Sequence, residues 1–420
     1  MKITQVLYKQ NIGRLIKWQW RVQRKKTLIE TNAEKVLASR GVSIIDAKQF
    51  LHEPLFEAQK QDVQEIFNNI VGPIKLEPKL NNTHPLWSDD PCLVYGDHNV
   101  LVHGLEQAKV FTNAIEPEPG LPKYFKELYE AYRLPNQDEH IQRIIIASIL
   151  YDAVQEKLPI RKDPKRPAWK FPRDYGIPDK RRNNLIISRM LQLCESSVGN
   201  MSSNKLIAKD VFFKVPLQRN ANVSLNLRAD LLLLSENSLA PFMDDIQGDL
   251  PDLTPLDYKI SLDEINIYHK DEFVSPISGK FNNVHTAFIH YNETEVKNLY
   301  ETPVLQTQIM GRSLMKCYAF AVANAKSKYG ENVKELPEPI TLQCVHTNSQ
   351  WFHFSVFQLN SLAGPEEDGM KNIYWQTPLL NAYKNCVFDE GVPVLEDYNP
   401  EVFKHFLSFY MNGTEYEIKL

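Results

Sequence analysis

Three side chains in this 420-residue chain have the types and spacing for metal-assisted hydrolysis. Asp230 closes a strand-like segment, and Asp257 and Lys259 read as D-x-K beyond a connecting loop. A long helical stretch bearing Gln306 and Gln308 follows. Two carboxylates can hold a divalent ion while a lysine helps to activate water. Against that chemistry, the connecting loop Glu236–Asp257 holds six acids and no base, which would repel a phosphate backbone. D-x-K is also a short pattern that chance supplies. Other signatures of catalysis are missing: there is no G-x-G-x-x-G, G-x-x-x-x-G-K-[ST], H-E-x-x-H or G-x-S-x-G. The close histidine pairs His98/His103, His285/His290 and His346/His353 are five and seven apart, spacings that do not align two imidazoles on one helical turn. The reading is therefore no metal, no cofactor and no small-molecule substrate.

The second candidate is a binding surface. Arg161–Arg182 (RKDPKRPAWKFPRDYGIPDKRR) holds nine bases against three acids. Its four prolines favour an extended path over a helix. The bases Arg161, Lys162, Lys165, Arg166, Lys170, Arg173, Lys180, Arg181 and Arg182 can displace counterions from phosphates. Trp169, Phe171 and Tyr175 lie between them and can stack on unpaired bases. An extended stripe of this kind suits RNA read by shape. The plainer alternative is a solvated loop whose aromatics pin it to its own domain, and composition alone weighs the two equally.

These residues sit in a chain whose charge is uneven. Forty-eight Lys and Arg face 52 Asp and Glu, a formal net charge of −4. Residues 1–29 carry eight bases and no acid, interleaved with apolar residues such as Leu15, Ile16 and Trp20. That is the composition of a mitochondrial targeting segment, with a basic surface helix or a nucleic-acid-binding arm as the alternative. Without the leader and the basic stripe, the remainder carries −18. The five cysteines have no C-x-x-C and no pair closer than 27 residues, so reduced thiols are expected. No stretch has the roughly 18 apolar residues needed to span a bilayer. An apolar content of 43% is enough for a sizeable core.

Positioning such groups requires regular elements. Residues 30–158 read mainly as helix: one from Asn99 to Phe111, and one over 138–157 with Asn136 and Glu139 as its N-cap pattern. Residues 159–182 form the basic, proline- and aromatic-bearing loop, and Leu185–Leu193 is again helical. Asp210–Leu217 and Val223–Leu234 read as strands, the second turning continuously apolar as it enters a core. Leu305–Tyr329 is apolar nearly all round, hence a buried helix, and Gly330 stops it. Ile340–Thr347 and Trp351–Leu359 are strands joined by the turn Asn348–Gln350. The expected fold is α/β or α+β: a largely helical N-terminal half, then over 183–420 a mixed sheet with a buried helix. The order Asp230, D-x-K, helix is the outline of a PD-(D/E)xK nuclease core, present intact or in degenerate form.

Several whole segments carry a broader likeness: His84–Trp87 (HPLW), Cys92–Thr112, Asn136–Glu139 (NQDE), Asp263–Tyr268 (DEINIY), Gln306–Gly330, Leu336–Asn360, Met370–Trp375 (MKNIYW) and Pro400–Gly413. In these the chain resembles the metazoan mitochondrial large-subunit ribosomal protein family numbered thirty-seven. The likeness is densest from Asp263 onward and weakest between Arg161 and Asp257. It implies a non-enzymatic building block of the mitochondrial large ribosomal subunit, located in the matrix. Large-subunit ribosomal RNA and neighbouring mitochondrial ribosomal proteins, a paralogous subunit among them, are the partners it implies. The rival is a metal-dependent nuclease or RNA-processing enzyme built on Asp230, Asp257 and Lys259.

Overall fold

A computed structural model describes residues 31–43 and, from 78 to 414, all but 133, 161–164, 167, 170, 244–252, 278, 299–301, 332 and 366–369, with scattered positions from 13 to 23. Most of the basic leader therefore lies outside the described residues; residues 16–21 are helical and exposed. The chain divides into two compact units, Met1–Pro78 and Lys79–Leu420. The first contributes helix α1 (Asn32–Ser39). Thr31 and Glu34 close a capping box there, each side chain accepting from the other's backbone N–H.

The second unit opens with β1 (Trp87–Gly96), α2 (Gly104–Thr112), β2 (Ala114–Ile115), α3 (Lys123–Ala131) and α4 (Gln137–Ile149). Two-residue strands β3 (Glu156–Lys157) and β4 (Tyr175–Gly176) precede α5 (Asp179–Val198). Then come β5 (Lys205–Gln218), β6 (Asn222–Ser235), β7 (Asp263–Ile267), β8 (Asn283–His290) and α6 (Gln306–Tyr329). Strands β9 (Glu335–Thr347), β10 (Trp351–Ser361), β11 (Asn372–Gln376) and β12 (Leu380–Asn381) follow, then β13 (Asn385–Asp389), β14 (Val392–Glu396) and α7 (Glu401–Met411).

Ten strands form one mixed sheet in the order β2-β11-β10-β9-β8-β6-β1-β7, with β5 beside β6 and β12 beside β10. The pairs β1/β6, β8/β9 and β2/β11 are parallel. Ala114 faces Asn372 in the last of these, joining the first third of the chain to its final fifth. The fold is mixed α/β, as the sequence predicts. Helices lie on both faces. Residues Phe357 and Leu359 of β10 pack with α2 and α6, whereas Phe352, Phe354 and Val356 pack with α3, α4, α5 and α7. Period-two alternation therefore splits one strand between two cores. Leu231–Leu234 likewise serve both faces, which is why β6 reads as continuously apolar there.

Helix α6 is buried along most of its length and stops at Gly330, whose φ of 96° suits glycine. Its approach to α2 is closer than any side chain permits. A Cβ added at Gly311 would lie 2.6 Å from the Gly104 carbonyl carbon, and one at Gly104 2.6 Å from Thr307 backbone.

Some boundaries differ from the sequence reading. The stretch expected to be mainly helical supplies β1, because its four buried residues Cys92–Tyr95 follow two aspartates and a proline that hide the strand pattern. A bulge between Trp87 and Cys92 absorbs those residues in the pairing with β7. Asn136 precedes α4 but stands in left-handed geometry and makes no side-chain cap hydrogen bond. That helix ends at Ile149, and β3 occupies part of the span predicted to be helical. Helix α5 begins at Asp179, so Lys180, Arg181 and Arg182 are its first turn and not the end of an extended loop. Pro178 ahead of it supplies the fixed backbone, and Asp179 complements the N-terminal dipole.

Candidate functional site

The basic segment leaves the body through a two-rung ladder. Glu156 faces Gly176 and Lys157 faces Tyr175, and the Leu158 N–H donates to the Asp174 carbonyl at 2.9 Å. Between those rungs Lys165, Arg166 and Arg173 are exposed, as is Lys180 beyond them. Trp169 is 61% exposed, and its ring meets half-buried Phe171 edge-on at 6.5 Å. Tyr175 is 68% exposed. Arg161, Lys162 and Lys170 lie outside the described residues.

Arg181 and Arg182 differ from the rest. The Arg181 guanidinium grips Asp152 with two N–H groups, Nη2 to Oδ1 at 2.9 Å and Nε to Oδ2. That grip holds the Asp152 carboxyl below the usual carboxylate range. Arg182 pairs with Asp179 one helical turn away. Both are half-buried, so part of the basic run stabilises its own helix. Sequence spacing hid the Asp152 contact, because the partner lies 29 residues upstream.

The hydrolytic trio does not assemble. Asp230 lies within β6, its Oδ2 accepting from the His290 backbone N–H at 2.7 Å. Asp257 caps a local turn, accepting from the Lys259 N–H at 3.0 Å, and lines a shallow cleft with Lys259 and Asn222. Asn222 and Asp230 are eight residues apart on one strand, about 26 Å at the usual rise. A single divalent ion cannot bridge carboxylates at that separation. The residues of the PD-(D/E)xK outline are not brought together as a metal site.

Chemistry-bearing residues do converge elsewhere, in the interior beside α6. Lys316 Nζ lies 2.6 Å from Asp97 Oδ1 and donates to the Arg228 carbonyl at 2.6 Å. Arg312 Nη2 donates to the Asp97 carbonyl at 2.7 Å, and Nη1 lies 3.3 Å from His346 Nε2. Arginine always donates, so Nε2 of His346 accepts and its Nδ1–H points to Ser313 Oγ at 2.9 Å. Ser313 lies 3.0 Å from His353 Nδ1, and His353 Nε2 lies 3.1 Å from Gln376 Oε1. The Gln376 amide donates onward to Glu116 at 3.3 Å. One chain of donors therefore runs from a buried guanidinium to a half-buried carboxylate.

The electrostatics follow from burial. Burial alone would raise the Asp97 carboxyl, but Lys316 and Arg312 outweigh it and hold it at about 2. Burial, then repulsion from Arg312, push the Lys316 ammonium down to about 8 against the pull of Asp97. Burial pushes His353 down to about 4 and His346 well below its ordinary value, so both stay neutral at pH 7. A serine hydrogen-bonded between two neutral imidazoles has the parts of an activated nucleophile. However, Ser313, His346 and His353 are fully buried, and each ring nitrogen is engaged. The arrangement fixes α6 against β9, β10 and β11. It is architecture, and sequence reasoning missed it. The available signal was Arg312 and Lys316 four apart in an otherwise apolar helix.

A family model described as mitochondrial 28S ribosomal protein S30 (PDCD9) matches residues 285–414, a span that includes α6 together with His346, His353 and Gln376. The large ribosomal subunit protein mL37 of Rattus norvegicus is 25% identical over 402 residues, covering 86% of each chain. The Mus musculus mL37 is 25% identical over 394 residues with the same coverage, and that of Bos taurus 24% over 355, covering 79% of this chain and 77% of its own. The family model carries a small-subunit name over about a third of the chain, whereas the relatives align over most of it and agree on the large subunit. Over 86% of its length, and over the same share of theirs, the chain is similar to the mL37 proteins of mitochondrial large ribosomal subunits.

Proposed function

We propose that this chain is a structural constituent of the mitochondrial large ribosomal subunit, working without catalysis of its own. The carrying observation is the similarity to mL37 proteins, which takes in the interior beside α6 and most of the surrounding chain. It is a mitochondrial protein on the same ground. Large-subunit ribosomal RNA and neighbouring ribosomal proteins, a paralogous subunit among them, are its partners in this reading. Three features of the molecule support it. The polar groups able to do chemistry are sealed inside, Asp230 and Asp257 stand too far apart for one metal, and the exposed charge forms a stripe.

Lys165, Arg166, Arg173 and Lys180 are the RNA-facing bases in this reading, with Trp169 as the stacking side chain. Arg161, Lys162 and Lys170 extend the same run in sequence. Arg181 and Arg182 add field but are already engaged by carboxylates. Such a surface binds phosphates through counterion release and does not read bases. The test is sedimentation of salt-washed mitochondrial lysate. The chain should travel with large-subunit RNA, and recovery only in the soluble matrix pool would reject the assignment.

A further inference from the structure

Beyond the sheet, β13 and β14 form a separate two-stranded hairpin, in which Val387 faces Val394 and Asp389 faces Val392. Its two faces are unlike. Cys386 and Leu395 pack toward the core beneath, and the Phe388 ring meets Tyr151 edge-on at 5.6 Å. The opposite face holds a β-branched strip, in which Val387 is 49% and Val392 61% exposed, with Val394 beside them. A two-stranded ribbon is marginal in water on its own, and an apolar strip on its outer face does nothing for the core. Among the described residues neither strand pairs with a third, so backbone groups are open along the ribbon.

The charge around this strip has one sign. Between residues 384 and 397 stand Asp389, Glu390, Glu396 and Asp397 against Lys384 alone. Lys384 is spent on Asp397 at 3.9 Å. Four carboxylates repel a phosphate backbone and equally repel a second copy of the same hairpin. The hairpin also stands close to the start of α5: Phe388 meets Tyr151, and the next residue, Asp152, is held by Arg181.

We propose that the outer face of the β13–β14 hairpin docks a basic, extended segment of a neighbouring protein, one with apolar side chains at alternate positions. Alternating side chains would meet Val387, Val392 and Val394 while main-chain groups add to the ribbon. Lysines and arginines of the segment would meet Asp389, Glu390 and Glu396. A basic tail of this kind can lie on RNA along the adjoining stripe, which would give the molecule an RNA side and a protein side in contact. The inference rests on the ribosomal reading above, and its test separates the two.

Full-length chain carrying the photocrosslinker in Val392→p-benzoylphenylalanine is expressed in mitochondria, irradiated, and sedimented before peptide mapping. The expected adduct is a protein segment with more Lys and Arg than Asp and Glu. Charge reversal in D389K/E390K should cut the yield about fivefold, as the loss of roughly 1 kcal/mol of complementarity would. An adduct to ribosomal RNA, to a second copy, to residues 1–78 of the chain itself or to an acidic segment overturns the proposal. So does a yield that charge reversal leaves unchanged, or no adduct in chains that still sediment with the subunit. Failure to sediment at all, by wild type and variants alike, overturns the ribosomal reading and this one with it.

Discussion

The surroundings of α6 and the segment from Glu156 to Arg182 are built from the same kinds of residue and behave as opposites. In the first, Arg312, Lys316 and two histidines are enclosed with half-buried Asp97 at their edge, and nearly every donor has an acceptor in the same chain. In the second, Arg166, Arg173 and Trp169 point to solvent on a loop tied down at its base by two rungs of ladder, and Lys180 does so from the first turn of α5. Removal from water makes the inner charges strong and costly to disturb, whereas outer charges are screened and cheap to change. What looks most like a catalytic centre is therefore a fastening, and what looks like an ordinary loop carries the exposed charge. Arg181 and Arg182 mark the boundary, half inside and half out.

Four experiments would break or sharpen that contrast. The largest effect should be acid instability set by buried histidines. Burial holds His285 at about 3 and His353 at about 4, with His346 and His290 also depressed. Their unfolded forms take up protons near pH 6.5, so stability is intact above that pH and falls as pH drops toward 4. Each histidine contributes a slope of about 1.4 kcal/mol per pH unit. Urea unfolding between pH 7.5 and 5 should show it, shallower in His353→Gln, and a flat profile would contradict the burial of these rings.

Next in size, Asp97→Ala should cost about 3 kcal/mol by leaving Lys316 and Arg312 buried without a carboxylate. Arg228→Ala removes an exposed pair with Asp210 and should stay within about 0.5 kcal/mol. Equal losses in chemical denaturation would erase the distinction between inner and outer charge. Gly311→Ala tests the helix crossing instead. The added methyl meets Gly104 backbone, which has no rotamer to yield, and about 1–3 kcal/mol should be lost in the same assay.

The smallest effect should fall on the outer segment. Replacing Arg166 and Arg173 by Ala should leave the unfolding midpoint unchanged and lower the salt slope of RNA binding by about 0.7–0.9 for each phosphate no longer neutralised. Arg181→Ala should instead loosen the start of α5 with little change in that slope, because Asp152 already holds the guanidinium. The opposite pattern in filter binding at graded salt would reassign the phosphate-facing side chains.

How far these regions were legible follows from what fixes each one. Helix α6 announces itself, because a run of apolar residues closed by Gly330 needs no long-range information. The basic stripe is legible as charge, but the helical state of Lys180–Arg182 depends on Pro178 and Asp179 acting as a start signal inside a proline-rich run. Strand β1 is not legible, since Asp89, Asp90 and Pro91 break its alternation and β6, more than 120 residues later, supplies its partner. The polar chain through Ser313 is hidden for the same reason. Its acceptors are backbone carbonyls and strand residues from distant parts of the chain, which no local pattern encodes. Asp230 and Asp257 show the converse error: neighbours in a motif can be strangers in space.

The pairing of Ala114 with Asn372 bears on how the molecule comes into being. A chain delivered from its N-terminus cannot close this edge until residues 372–376 have arrived, and α7 must follow to cover Phe352 and Phe354. Until then Phe288 and Phe354 lack the rings of Phe406 and Phe409 that pack on them. Topologies dominated by such distant contacts form late and slowly. This protein should accordingly spend its assembly as an open intermediate in need of a chaperone, and truncations before Asn372 should be captured by holdases even with α6 intact.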